Sequence, residues 1–438
     1  MPCLLLNKSN KKFIPIMKRL FIILIFIATQ HWVISQTPST ISLGQCYQLA
    51  KQNYPLINQY ELVSKSASFA MENASKAWMP QVSVNAQASY QSEVTEIPIK
   101  LPNLQIPSMS KDQYKVYAEV TQTLYDGGAV KSQKDIITAN AQVDHKKNEV
   151  ELKKINERIN QLYFGVLLVN EQLKQLDISQ KDIEAAIAKT NAAISQGIAL
   201  KSNNDALQVE LLRMDQRRVE FKATRKAYLD MLGLFLNQTL NETTIFQRPD
   251  FPSTISSTAI NRPELMLIEQ QQKAVMLQTK MLDVRNRPKV GVFLQAGMGR
   301  PALNMLNNDF SPYYIGGVRI NWALNGFYTV KNDRAILNIN QSSLSIQKDL
   351  FLFNTQYAMR QQQAELEKYQ ALFKSDDAII TLRTKIKNTS LVQLENGVIT
   401  SSDYLREQNA EQLARETKSV HELQFLLLQY NLQYTLGN

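Results

Sequence analysis

Proline locks φ and removes a backbone donor, and two long stretches of this 438-residue chain contain none: the segment between Pro107 and Pro249, and everything after Pro312. Helices can run unbroken through both. In the first, Leu152, Ile155, Ile159, Leu162, Val166, Val169, Leu173, Leu176, Ile183, Ile187 and Ile194 recur in steps of three and four, interrupted only at Gln180 and Thr190. That spacing predicts a left-handed coiled-coil seam. The helix predicted from Lys131 to Gln196 would be roughly 100 Å long, beyond the width of an ordinary domain. The return segment offers Leu207, Leu211, Met214, Phe221, Tyr228, Leu232 and Phe235, interrupted by Arg218 and Arg225. It is too short to match its partner alone, but residues 56–77 and 206–236 stacked end to end reach about 80 Å.

The chain is written twice. "NYP" at 53–55 and "NRP" at 261–263 each open a helical segment, and the prolines Pro80 and Pro288 follow at the same distance, each opening a strand. "YAEVTQTLYDGG" and "IGGVRINWALNG" come next, each followed by a very long helix, a glycine turn at Gly197 or Gly397, and a return helix. The expected organisation is a first repeat over 36–240, a linker over 241–262 rich in turn formers, and a second repeat over 263–438.

Four strands are expected, at 82–90, 114–124, 290–298 and 314–322, each with one apolar and one polar face. In the first, Val82, Val84, Ala86, Ala88 and Tyr90 share a side, opposite Gln81, Ser83, Asn85, Gln87 and Ser89. Their lengths suit an oblique crossing of a membrane, and Tyr90, Tyr114, Tyr313 and Tyr314 at one end and Trp78, Tyr125 and Trp322 at the other suit its two interfaces. Open strand edges do not survive in lipid, so four strands must borrow neighbours from other copies of the chain: two copies give eight strands, three give twelve with a lumen.

Residues 1–35 read as a secretory signal peptide, with Lys18 and Arg19 ahead of the apolar run 20–28 and small residues near Ser35; Met17 is the alternative start. Its removal takes away five basic residues and no acid, which halves the formal net charge of +10. Without a basic patch interleaved with aromatics, no nucleic-acid role is expected. Cys46 then stands as the sole cysteine, which excludes an intrachain disulfide. The histidines His145 and His421 have no nucleophile motif beside them, "GMGRP" at 297–301 does not lead into a helix as a phosphate cradle would, and the methionines are scattered. No enzyme, cofactor or metal site is expected.

The duplicated plan, "LYDGG" and "NWALNG" after the second strand of each half, and the turns "SQGIALKSNND" and "LENGVITSSDYL" resemble the outer membrane efflux protein family, the TolC-like channels, over residues 41–438. The resemblance implies a mainly α fold with membrane β: a homotrimer whose 12-stranded β-barrel, four strands per chain, sits in the outer membrane and continues into a long α-helical coiled-coil barrel in the periplasm. It implies an exit duct of a tripartite efflux pump or a type I secretion system, with a periplasmic adaptor protein and an inner-membrane pump as partners. It further implies a periplasmic aperture near Asp403, where Arg406 stands in place of a further acid and Asn203 is the first-repeat counterpart. Adaptor docking is expected at Gly197, Ile198, Ala199, Gly397, Val398 and Ile399. Leu394 and Ile399 occupy positions where some relatives carry a Tyr and an Arg. Thr400 with Asp403, and Ser202 with Asp205, also spell helix-capping boxes. A periplasmic adaptor or a structural coiled-coil protein is the alternative, disfavoured by the two hairpins and the amphipathic strands.

Overall fold

The computed structural model describes residues 40–95, 109–251 and 259–437; the expected signal peptide and the choice between Met1 and Met17 lie outside them. In chain order the elements are β1 (Thr40–Ile41), α1 (Leu43–Asn53), α2 (Ile57–Ser75), β2 (Gln81–Tyr90), β3 (Asp112–Tyr125), α3 (Ala129–Ser195), α4 (Lys201–Leu236), β4 (Ile245–Phe246), α5 (Pro263–Arg285), β5 (Lys289–Arg300), β6 (Ser311–Asn321), α6 (Gly326–Glu395) and α7 (Ser401–Leu436). Helices α3 and α6 run 67 and 70 residues, so each is about 100 Å long. The repeated order helix, hairpin, long helix, turn and return helix is the duplication read from the sequence. The return helix α4 starts at Lys201, five residues earlier than expected.

β2, β3, β5 and β6 form one antiparallel sheet in that order, so the two hairpins lie side by side and β2 and β6 are its free edges. Register aligns Val84, Ala118, Ala296 and Tyr314 across one face and Asn85, Tyr117, Gly297 and Tyr313 across the other. The apolar face carries Val82, Val116, Leu294, Met298, Val318 and Ile320, all at least half exposed.

The two sequence motifs after the strands are joints. In "LYDGG" the Asp126 carboxylate accepts from the backbone N–H of Gly128 at 2.8 Å and of Val130 at 2.7 Å, capping α3. Gly127 and Gly128 adopt φ of +72° and +95°, and a Cβ on Gly127 would meet the Arg287 Cβ at 2.8 Å. In "NWALNG" the Trp322 indole donates to the Asn286 carbonyl at 3.0 Å. Both strand-to-helix joints thus close on the turn between α5 and β5.

α3 is the axle of the chain. It packs against α2 and α5 at the sheet end and against α4 and α7 towards the turns, while α6 contacts α5 and α7. Eighteen of its residues are buried, against four on α6. The seam differs from expectation at Leu162 and Leu173, which are half-buried, and beyond Leu176, where the buried stripe is Leu176, Ser179, Ile183, Ala186, Thr190 and Ala193, while Ile187 and Ile194 sit half-buried beside it. Thr190 continues the seam because small side chains there let the helices approach closely. Gln180 and Arg218, both read as interruptions, hydrogen-bond to each other, and Arg218 also reaches Asp177 at 2.8 Å.

The parallel pair β1 and β4 fastens the waist of the molecule, where α1 wedges between α3 and α4. The hydroxyl of the fully buried Tyr163 sits between the two strands and shares its one proton between carbonyls of each side, 2.6 Å from that of Gln247, just after β4, and 3.0 Å from that of Ile41.

Candidate functional site

Both turns at the far end of the helices are built alike. In the first, Gly197 takes φ of +73° and the Ile198 N–H returns to the Ala193 carbonyl at 2.9 Å; in the second, Gly397 takes +66° and the Val398 N–H returns to the Gln393 carbonyl at 2.9 Å. This left-handed C-terminal motif needs glycine because a Cβ is strained at positive φ. It leaves Ile198 and Val398 projecting, 53% and 70% exposed. Ala199 is half-buried, and Ile399 turns inward against the buried cluster of Leu207, Met214, Leu394 and Tyr404. The turns touch: a Cβ on Gly397 would lie 3.2 Å from Ile198 Cγ2. Leu394, 4% exposed, is a core residue of this end rather than a free latch.

The helix starts after the turns are not alike. Thr400 caps α7 through a complete capping box: its hydroxyl accepts from the Asp403 N–H at 3.3 Å, and Asp403 accepts from the Thr400 N–H at 3.1 Å and hydroxyl at 2.7 Å. The Thr400 hydroxyl and backbone N–H, with Arg406 beyond them, hold the Asp403 carboxyl below its ordinary range. Arg406 Nη1 is 3.8 Å from Asp403, and its Nε is 3.2 Å from Glu407. The expected second box at Ser202 and Asp205 does not form. The cap of α4 is Leu200, which aligns with Thr400 and offers no side-chain acceptor, and Ser202 already lies inside the helix. Instead Asn203 reaches across the turns and accepts from the Ser401 N–H at 3.5 Å.

One turn further in lies a charged cluster with no counterpart in the sequence reading. Lys387 of α6 stands 2.8 Å from Asp182 of α3 and 3.5 Å from Glu411 of α7. Glu411, 3% exposed, also accepts from Arg415 Nε at 2.5 Å and from the Thr384 hydroxyl at 3.0 Å. Burial pushes its carboxyl up, but Arg415, Lys387 and Thr384 together outweigh that and hold it below the ordinary glutamate range. Lys189 and Glu395 add a second bond between α3 and α6. The cluster ties the first hairpin, α3 and α4, to the second, α6 and α7. Its members lie about two hundred residues apart, so local pattern gives no hint of the pairing; the available signal was Glu411 falling on the same helical stripe as Tyr404 and Gln408.

Among the described residues no group of His, Cys, Asp and Glu could hold a metal ion, and no helix is long and apolar enough to cross a membrane.

Residues 46–238 match the family model of the outer membrane efflux proteins. No curated protein sequence matches the chain. Solved structures share the fold across nearly its whole length. The outer membrane protein VceC of Vibrio cholerae is 11% identical at a TM-score of 0.66, over 90% of this chain and 96% of its own. The CmeC outer membrane channel of Campylobacter jejuni is 13% identical at 0.63, over 90% and 85%. The open state of the Neisseria gonorrhoeae MtrE outer membrane channel is 13% identical at 0.63, over 90% and 89%.

Proposed function

We propose that this chain, whose residues 46–238 match the outer membrane efflux protein model and which shares the fold of outer membrane channels over 90% of its length, is one third of an outer membrane exit duct. The observation that carries the reading is that both open edges of the sheet coincide with unpartnered apolar helix faces. On the β6 side, α6 exposes Ile336, Ile339, Ile346, Leu350, Phe353 and Tyr357, at spacings of three, four and seven. On the β2 side, α2 exposes Leu62 and Phe69 and α4 exposes Leu212 and Val219. One edge of a copy therefore suits the other edge of the next, a head-to-tail contact that closes into a ring. Three copies supply twelve strands, whose apolar faces turn to lipid and polar faces to a water-filled lumen. The helices continue that lumen into the periplasm.

In this reading the turns form the periplasmic mouth. Ile198 and Val398, apolar and projecting, are the contact points for a periplasmic adaptor that links the duct to an inner-membrane pump; Gly197, Ala199, Gly397 and Ile399 shape the turns that present them. Asp403 serves first as the partner of Thr400 in the capping box of α7 and, with Arg406, places a neutralised pair at the mouth. The cluster around Lys387 and Glu411 holds the two hairpins of each copy together and keeps the mouth narrow. Such a duct conducts passively, and the pump chooses the cargo.

The test is crosslinking of the chain in mild detergent extracts of outer membranes. Products that stop at three, released by heat to monomer, are expected; a stable monomer overturns the architecture. Replacing both Ile198 and Val398 by Asn should abolish export while leaving the trimer intact. Unchanged export would confine both residues to turn formation.

A further inference from the structure

The two faces of the sheet differ in charge as well as in polarity. On the apolar face the charged strand residues are Asp112 and Arg300, both at the end far from the helices and 3.7 Å from each other. On the opposite face they are Lys115, Glu119, Lys289 and Arg319, assigned by the register of the four strands. Each copy thus turns three cations and one carboxylate to the polar side.

These charges are arranged, not scattered. Arg319 lies beside Gly291 on the neighbouring strand and extends diagonally to Glu119, two strands away, at 3.0 Å. Its guanidinium rests on the Phe293 ring, 4.4 Å from the centroid. Gly317, paired with Phe293, has no side chain, and a Cβ there would sit 3.2 Å from the ring, so the shelf needs that gap. Glu119 is therefore consumed by Arg319. Lys115 at the far end of the sheet and Lys289 at the helix end form no ion pair among the described residues, and two unmatched positive charges remain per copy. At the mouth, by contrast, Asp403 faces Arg406 and Glu407 faces Arg383 at 3.2 Å, leaving no net charge to oppose them.

We infer that the strand-built part of the duct is a cationic passage that favours anionic solutes, with Lys115 and Lys289 as the residues that set the preference. The inference rests on the duct reading above, which makes the polar face a lumen. Threefold repetition then places three copies of each lysine around one water-filled bore. Rings of like charge in a pore raise the local concentration of counter-ions and exclude co-ions. Arg319, already paired, contributes the shelf that narrows the bore rather than the net charge.

The experiment is the reversal potential of the purified trimer in planar bilayers under a potassium chloride gradient. Wild type is expected to pass chloride in preference to potassium. The double variant Lys115→Gln, Lys289→Gln should lower the chloride-to-potassium permeability ratio to one or below, and Lys115→Arg, Lys289→Arg should keep the wild-type ratio, which separates charge from folding. A potassium-preferring wild type, or a ratio unmoved in the Gln double variant while Asp403→Asn moves it, overturns the inference and leaves the duct standing. Trimers that form no channels at all overturn the duct reading and this inference with it.

Discussion

The waist and the mouth of the helical part are both interhelical packings around α3, yet they are made of different material. At the waist, Ile159, Tyr163, Val166, Leu229, Leu232, Leu236 and Leu426 form a continuous buried cluster, closed by Phe246 edge-on to Tyr163 at 5.2 Å. Near the mouth, the apolar cluster of Leu176, Ile183, Leu207, Met214 and Leu394 adjoins buried Gln408, Glu411, Gln412, Ser401, Thr190 and Glu210. Several of these polar groups, both amide atoms of Gln408 among them, have no protein hydrogen-bond partner. Burial of apolar area is non-directional and survives small shifts, whereas a polar interior is stable only while each group keeps its partners. In the proposed duct, the waist would then hold its packing while the turn end parts when its bonds are exchanged.

The contrast is tested most strongly at the waist. Ile159→Ala is expected to cost about 2–5 kcal/mol through a cavity that this tightly packed cluster cannot collapse. Tyr163→Phe, which keeps the ring and removes the ties to β1 and β4, should cost less. Urea unfolding of the solubilised protein measures both. Equal, small losses would show that the waist is no firmer than the mouth.

The next effect is at the mouth. Lys387→Met leaves Asp182 without its cation and Glu411 with Arg415 and Thr384 alone, a loss of about 1 kcal/mol, since Asp182 is partly exposed and Glu411 keeps partners. Here it should appear as a larger single-channel conductance with little change in unfolding, because the hairpins part without the waist yielding. Charge-keeping Lys387→Arg should retain most of the closure. An unfolding midpoint that falls as far as in Ile159→Ala would erase the distinction between the two regions.

Acid should loosen the mouth through Glu411. Glu411 titrates lower in the folded protein than in the unfolded chain, so its contribution is complete above the ordinary glutamate value and is lost as pH falls through the depressed one. Conductance is expected to stay constant from neutral pH downwards and to rise only below about pH 4.3. A rise near pH 6 would assign closure to another group.

The smallest expected effect is at the helix starts. Thr400→Ala removes the cap of α7 at about 1 kcal/mol, while Ser202→Ala, whose hydroxyl caps nothing, should be neutral. Thermal unfolding of the pair checks the asymmetry between the two turns.

Most of the architecture was legible because it is periodic. Proline gaps gave the helix lengths, alternation gave the strands, and the repeat gave their order. What was hidden is what helices do with polar residues. A Ser/Thr-x-x-Asp motif follows both turns, Ser202 to Asp205 and Thr400 to Asp403, but only the alignment through Gly197 and Gly397 shows that Leu200, not Ser202, occupies the capping position. Thr190 looked like an interruption because hydropathy does not record that a small side chain suits close packing. Lys387, Asp182 and Glu411 were invisible because each is an ordinary charged residue until three helices bring them together.

Cys46 carries a practical consequence. It is fully buried at the waist, and burial pushes its thiol up to about 12, so at neutral pH it is neither accessible nor a thiolate. The only other cysteine of the sequence, Cys3, lies in the segment read as a signal peptide, whose removal would leave no other thiol. Any cysteine introduced by mutagenesis would therefore be the only reactive one, and a spin label or fluorophore on Ile198, Tyr357 or Leu62 would report its own position without first stripping the protein of a native background.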